Sequence, residues 1–219
     1  VDYGALIPIK KRLLALAASR FDEMADAQTR ADFEYFVAAH DAGWLNDYAL
    51  FRILKARHDL RPWPEWQPEY VHREPTALAE LEASAAADIR KFKIEQFWFH
   101  SQWQQLKAYA NARGVELFGD MPIYIALDSA DAWANRDILR VDPDGRPDSV
   151  AGVPPDYFSE DGQLWGNPLY DWEKHAATGY AWWIERMRAA GDLADLVRID
   201  HFRGFEAFWA IPAGSETAR

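Results

Sequence analysis

The stretch Leu196-Val197-Arg198-Ile199-Asp200-His201-Phe202-Arg203-Gly204 decides how this chain is read. Leu196 to Ile199 is a short apolar run of strand type. Side chains alternate along a strand, so Arg198 and Asp200 share one face while Val197 and Ile199 take the other, toward covering helices. Working outward, a helix over Trp172 to Ala190 precedes the strand. Asp171 is its N-cap, Tyr180, Trp183, Ile184 and Met187 its inner face, and Gly191 its stop. Further upstream, Val115 to Phe118 and Met121 to Ala126 read as a buried strand region. It leads into a long aperiodic loop over residues 127–170, whose aromatic content argues against disorder. Strand, loop, helix, strand is a βαβ unit with parallel strands, so the fold class is α/β. Arg198 and Asp200 lie at the C-terminal strand end, where α/β barrels place their catalytic groups.

The first part of the chain is helix-rich. Pro8 suits the first turn of a helix through Lys10 to Ala18. A second helix covers Thr29 to Ala39, and Gly43 breaks the chain. Trp44 to His58 is helical again, with Leu45, Tyr48, Phe51 and Leu54 or Lys55 on one side. Pro62, Pro64 and Pro68 mark an irregular connection around Trp63 and Trp66. Then Leu78, Leu81, Ala85, Ile89, Phe92, Phe99, Trp103, Leu106 and Ala110 recur at helical spacing. They predict one helix over Thr76 to Arg113, roughly 55 Å long at 1.5 Å per residue, or two helices with a bend.

Several side chains near the strand end can carry chemistry. Arg198 favours the ionised form of Asp200, and an ionised carboxylate can act as a nucleophile at neutral pH. A structural Arg–Asp pair gives the same pattern. His201, Arg203 and Glu206 crowd the following turn among Phe202, Phe205, Phe208 and Trp209, a density of charge that is costly to bury without a purpose. His201 is either a ring-nitrogen donor to a substrate hydroxyl or an ordinary hydrogen-bonded residue. Asp120, in Gly119-Asp120-Met121-Pro122-Ile123-Tyr124, sits at a strand terminus and can orient a sugar or stabilise neighbouring charge. Asp128 and Asp131 read as caps of the turn around Ser129. The segments Val153-Pro154-Pro155-Asp156-Tyr157-Phe158 and Gly162-Gln163-Leu164-Trp165-Gly166-Asn167-Pro168 mix flat rings with Asp and Gln, as a carbohydrate site requires. A structural flap packed on the core is the other reading.

Composition narrows the partners. The 219 residues carry a formal charge of −11. Nucleic acid and anionic membrane surfaces call for clustered cations and are disfavoured. Cysteine is absent, so no disulfide framework exists, and a cytoplasmic location is the expectation. There are 11 Trp, most of them read as core, with the sugar role reserved for rings in the loop. No metal-ligand spacing, phosphate loop or GxSxG elbow is present, so no cofactor is expected.

Taken together, these motifs resemble the 4-α-glucanotransferases, the amylomaltase or disproportionating-enzyme family, glycoside hydrolase family 77. The resemblance rests on Gly119 to Ile123, Ala126 to Asn135, Val150 to Phe158, Gly162 to Tyr170 and Val197 to Glu206, in order, with Val1 to Leu14 and Trp44 to Leu54 looking like the family's helical insertion. It implies part of a (β/α)8 barrel. Residues 1–75 would be a helical inserted subdomain, and 76–219 a partial barrel segment with a substrate loop over 127–170. It implies Asp200 as the nucleophile of a retaining transfer between maltooligosaccharides or other α-1,4-glucans. Arg198 would stand beside that nucleophile, and Asp120 at the end of the third barrel strand. Asp156, Tyr157, Phe158, Gln163 and Trp165 would be the substrate loop over the cleft. It also implies that the acid/base Glu and a third essential Asp lie beyond Arg219, so the chain is expected to be a middle piece, inactive alone, with unpaired strand edges that favour self-association. A non-catalytic glucan-binding module and a purely structural helical scaffold remain the rival readings.

Overall fold

A computed structural model describes residues 1–219. The chain divides into two compact units, Val1–Leu60 with Pro75–Gln104, and Arg61–Glu74 with Gln105–Arg219.

The first unit is all helix. Helix α1 is Tyr3–Ser19, α2 Phe21–Met24, α3 Ala27–His40 and α4 Asn46–Arg57. Asp2 accepts from the Ala5 N–H at 3.1 Å and caps α1 one turn earlier than expected, so Pro8 lies inside the helix rather than at its start. The surface there is exposed, and water can serve the Gly4 carbonyl that proline leaves without a donor. Asp26 caps α3 through the Thr29 N–H at 2.7 Å. Gly43 does not break the chain. Asp41–Leu45 forms a π-helical turn leading into α4, and the wide turn brings Leu45 into the core. Phe21, Phe33, Phe36, Leu45, Ile94 and Phe97 form that core, with Phe21 edge-on to Phe33 at 5.3 Å.

Helix α6, Pro75–Asn111, runs from the first unit into the second. It is one hydrogen-bonded element bent at Ala85, whose backbone leaves helical geometry, so both alternatives of the sequence reading hold in part. Of the expected stripe only Leu81, Ala85 and Ile89 are buried, and Ile94 and Phe97, outside it, are buried as well. Phe99 stays 55% exposed and instead stacks on Trp103 at 6.1 Å.

In the second unit, the proline-rich connection forms a turn at Trp63–Glu65 and helix α5, Pro68–Val71. Trp63 is fully buried and donates Nε1–H to the Leu127 carbonyl at 2.6 Å. Strand β1 is Phe118–Pro122 and β4 is Leu196–Asp200. They pair in parallel, with Asp120 opposite Arg198 and Pro122 opposite Asp200. Residues 123–126 are not strand, although Ile123, Tyr124 and Ile125 are buried. Val197 and Ile199 pack on the apolar cluster around Met121, Leu169, Tyr170 and Trp183, as alternation requires.

The region read as an aperiodic loop is ordered. It holds α7, Ala130–Ala134, and strands β2, Ser149–Val153, and β3, Gln163–Pro168. With β5, Trp209–Pro212, these strands form an antiparallel sheet in the order β3-β2-β5. Gly152 at its centre faces Leu164 on one side and Trp209 on the other. A Cβ there would lie 2.2 Å from Ile211 Cδ1 and 2.3 Å from the Gln163 carbonyl oxygen, so the close approach requires glycine. Ser129, not Asp128 or Asp131, caps α7.

The single helix expected over Trp172 to Ala190 is two, α8, Trp172–Ala177, and α9, Ala181–Leu193. Gly179 and Tyr180 both adopt positive φ, 62° and 60°, and the Tyr180 N–H returns to the His175 carbonyl at 2.7 Å. Asp171 is the N-cap as expected, but Gly191 lies within α9. The break also rotates the buried face. Trp182, Trp183 and Ala190 pack inward, whereas Tyr180, Ile184 and Met187 are exposed.

Candidate active site

The parallel register puts two carboxylates and one guanidinium on a single exposed face. Arg198 grips Asp120 as a fork, with Nε donating to Oδ1 at 3.0 Å and Nη2 donating to Oδ2. The sequence reading paired Arg198 with Asp200, its same-face neighbour two residues on. The fork instead reaches across to β1, because cross-strand partners lie nearer than i, i+2 neighbours and accept both arms. The Arg198 hydrogen bond and charge hold the Asp120 carboxyl below the usual range, and Asp120 in turn raises Arg198. Asp200 adds a weaker pull on Arg198 through space. Its own carboxylate takes no hydrogen bond or ion pair and is open to solvent.

His201 follows Asp200 in left-handed geometry, φ 56° and ψ 48°. Its ring meets Trp165 of β3 edge to face at 5.0 Å and lies 6.3 Å from Tyr124. Gly204 makes room for it, since a Cβ there would stand 3.0 Å from His201 Cδ2. Gln163 accepts from Trp165 Nε1 at 3.1 Å, which fixes the ring at the rim. The structure therefore brings Asp120, Arg198, Asp200 and His201 together with Trp165 and Gln163. Asp156, Tyr157 and Phe158 are placed differently. Asp156 accepts from the backbone N–H groups of Phe158 and Ser159, both at 2.9 Å, and so shapes its own turn. Tyr157 and Phe158 are 98% and 89% exposed and pack on each other at 5.7 Å. The turn that follows is tied to residues 218 and 219 through Asp161.

Two residues escaped the sequence reading. Tyr124 stacks on Tyr170 at 5.9 Å and leans on Trp165 at 6.2 Å, so it backs both rings of the site. Its buried hydroxyl has no partner, and burial pushes its pKa up to about 12. Arg186 on α9 donates to the carbonyls of Pro122 and of Ile123, the latter at 2.8 Å, and holds the end of β1. Its guanidinium lies over Trp182 and Trp183. The available signal was a cation three positions from Trp183 on an otherwise apolar helix face.

A protein-family profile described as 4-α-glucanotransferase, of glycoside hydrolase family 77, matches residues 1–219. The chain belongs to the 4-α-glucanotransferase family. It is 46% identical over 219 residues to a 4-α-glucanotransferase of Synechocystis and 47% identical over 218 residues to one of Thermus thermophilus, covering 100% of this chain and 43% of each relative. A chloroplastic/amyloplastic 4-α-glucanotransferase of Solanum tuberosum is 39% identical over 219 residues, 100% of this chain and 38% of the relative. Among solved structures, the amylomaltase of Streptococcus agalactiae in complex with acarbose superposes with TM-score 0.92 at 35% identity, over 100% of this chain and 43% of that one. The chain thus spans less than half the length of the family relatives it matches. No helix is long and apolar enough to cross a membrane.

Proposed function

We propose that this chain carries the nucleophile strand of a 4-α-glucanotransferase that moves α-1,4-glucan segments between maltooligosaccharides by retaining double displacement. The observation that carries the reading is the division of labour between two strand-end carboxylates. Asp120 is gripped by Arg198, while Asp200 on the same face is unengaged. An ionised, unencumbered carboxylate beside a fixed positive charge is a competent nucleophile. In this reading Asp200 attacks the anomeric carbon of the donor as the glycosidic C1–O4 bond breaks and the leaving glucan takes a proton from the acid/base carboxyl; the 4-hydroxyl of a second glucan, giving its proton back to that carboxylate, then displaces Asp200 from the glucosyl ester. Asp120 and Arg198 hold the electrostatics of that face. His201 and Gln163 offer polar contacts to sugar hydroxyls, and Trp165, Tyr157 and Phe158 offer flat faces, with Asp156 shaping their turn.

A retaining mechanism needs a second carboxyl group about 5–5.5 Å from the nucleophile, protonated when the leaving group departs. Asp120 cannot serve, because Arg198 holds it ionised. Glu206 is exposed and faces Arg203 at 3.9 Å. We therefore assign the acid/base role to a carboxyl outside these 219 residues and infer that the chain alone does not turn over. The same reading makes residues 1–75 an inserted helical subdomain and 76–219 part of a (β/α)8 barrel, with the outer edges of β1 and β4 available for self-association. It places the protein in the cytoplasm, unlike the plastid relative of potato.

The test uses maltotriose with this chain and with a chain of full family length. The long chain should yield glucose plus longer oligosaccharides, and Asp200→Asn should lower the rate by about 1,000-fold or more. Disproportionation by the 219-residue chain, abolished by Asp200→Asn, would overturn the assignment of the acid/base group. Full activity of the long Asp200→Asn variant would overturn the nucleophile. The exposed rings of Tyr157 and Phe158 favour glucan binding without turnover as a second reading, supported if this chain binds maltotriose and the long chain never converts it.

A further inference from the structure

Helices α1, α4 and α6 border an open groove of about 690 Å³ within the first unit, a volume suited to a small organic ligand. Its walls are stripes read directly off each helix. Ile7 and Leu14 of α1, Ile53 of α4 and Phe92 of α6 supply apolar surface. Lys10, Lys11, Arg52, Lys55, Arg57 and Lys91 line it as well. Only two carboxylates, Asp88 and Glu95, oppose these six cations, on a chain whose net charge is −11. Charge of this sign is concentrated here against the trend of the whole molecule.

The partners of these cations sharpen the picture. Lys91 is paired with Asp88 at 2.8 Å, and Arg52 donates to the Tyr48 hydroxyl at 2.6 Å while lying over the Phe92 ring at 4.7 Å. Lys10 and Lys11 stand exposed on α1. One helical turn beyond Phe92, Glu95 is poorly hydrated, and burial raises its pKa despite the opposing pull of Arg52. The groove therefore joins a part-buried apolar wall to a cationic rim.

We propose that this groove binds an amphiphilic organic anion, an aliphatic chain ending in a carboxylate or phosphate, with the chain against Leu14, Ile53 and Phe92 and the head among the lysines. Apolar area drives the association, and the cations select the sign of the head. The proposal is independent of the transferase reading, since no residue of the groove lies at the strand-end site.

The experiment titrates decanoate, decyl phosphate, decyltrimethylammonium and inorganic phosphate by calorimetry, below micelle-forming concentrations, into this chain and into a chain of full family length. Decanoate or decyl phosphate should bind saturably at one site, and the preferred head identifies the natural anion. Decyltrimethylammonium and inorganic phosphate should each bind at least about tenfold more weakly. Lys10→Glu with Lys11→Glu, both solvent-exposed on the groove-lining face of α1, should weaken the anion about tenfold and leave the far-UV spectrum and maltotriose transfer by the long chain unchanged. Equal affinity for the cationic amphiphile, no effect of the double charge reversal, or absence of saturable binding would overturn the proposal. So would loss of binding in the long chain, which would make the groove an internal packing surface.

Discussion

The parallel pair of β1 and β4 and the antiparallel sheet β3-β2-β5 use their faces in opposite ways. The pair buries Val197, Ile199 and Met121 on one face and shows Asp120, Arg198 and Asp200 on the other. The antiparallel sheet has a buried central strand and carries its exposed rings, Trp165 and Trp209, on the flanking strands. The first region supplies fixed charge, held by a cross-strand fork. The second supplies shape, held by close packing around Gly152. They meet where Trp165 touches His201. A site for sugar needs both, because hydroxyls demand polar partners while ring faces demand flat apolar ones.

The largest expected effect breaks the second region alone. Gly152→Val would drive a side chain into Ile211 and the Gln163 carbonyl, costing about 3 kcal/mol in urea unfolding. Maltooligosaccharide binding should be lost with it, while the Asp120–Arg198 pair should persist and remain visible by NMR. Next, Trp165→Ala should remove the wall against His201 and weaken maltotriose binding about tenfold, with little change in Asp120 titration.

Acid should distinguish the exposed face of the parallel pair from the apolar cluster behind it. His175 is fully buried among Tyr170, Trp172 and Trp182, and desolvation lowers its pKa below 6.5. Asp171 and the Ile138 carbonyl pull the other way without satisfying either ring nitrogen. A depressed folded-state pKa means the unfolded chain takes up the proton first. Stability is therefore whole above pH 6.5 and falls as pH drops through the folded value. Urea midpoints between pH 7 and 5 should show this fall, and His175→Phe should flatten it. Asp120 is also depressed, so its contribution is whole above 3.8 and lost only at lower pH. Arg198→Ala should return the Asp120 pKa toward 3.8 with a small stability change, because the pair is exposed. Smallest of all, Tyr157→Ala with Phe158→Ala should shift stability by no more than about 0.5 kcal/mol, since both rings lie in solvent.

Local chemistry was legible from residues alone. Asp26 and Asp171 act as N-caps where the pattern put them, and β4 alternates as its five residues require. Elements whose partners are distant in sequence were not. Strand β5 joins β2 from about 60 residues away, and β2 and β3 are short and interrupted by glycine and proline, so no period announced a sheet. The inner face of α9 was misread because the turn at Gly179 and Tyr180 resets its phase. Tyr124 stood in a quoted motif, yet nothing in the motif told of the rings it would back.

What the sequence determined by itself was the placement of a carboxylate, Asp200, at the end of a parallel strand, and the family that the ordered motifs resemble. The first rests on local alternation, the second on long motifs met in order. What the tertiary structure decided was which carboxylate the arginine takes. Arg198 and Asp200 are neighbours along one strand, but the register of β1 against β4 brings Asp120 alongside, and a fork binds the acceptor that meets both of its arms.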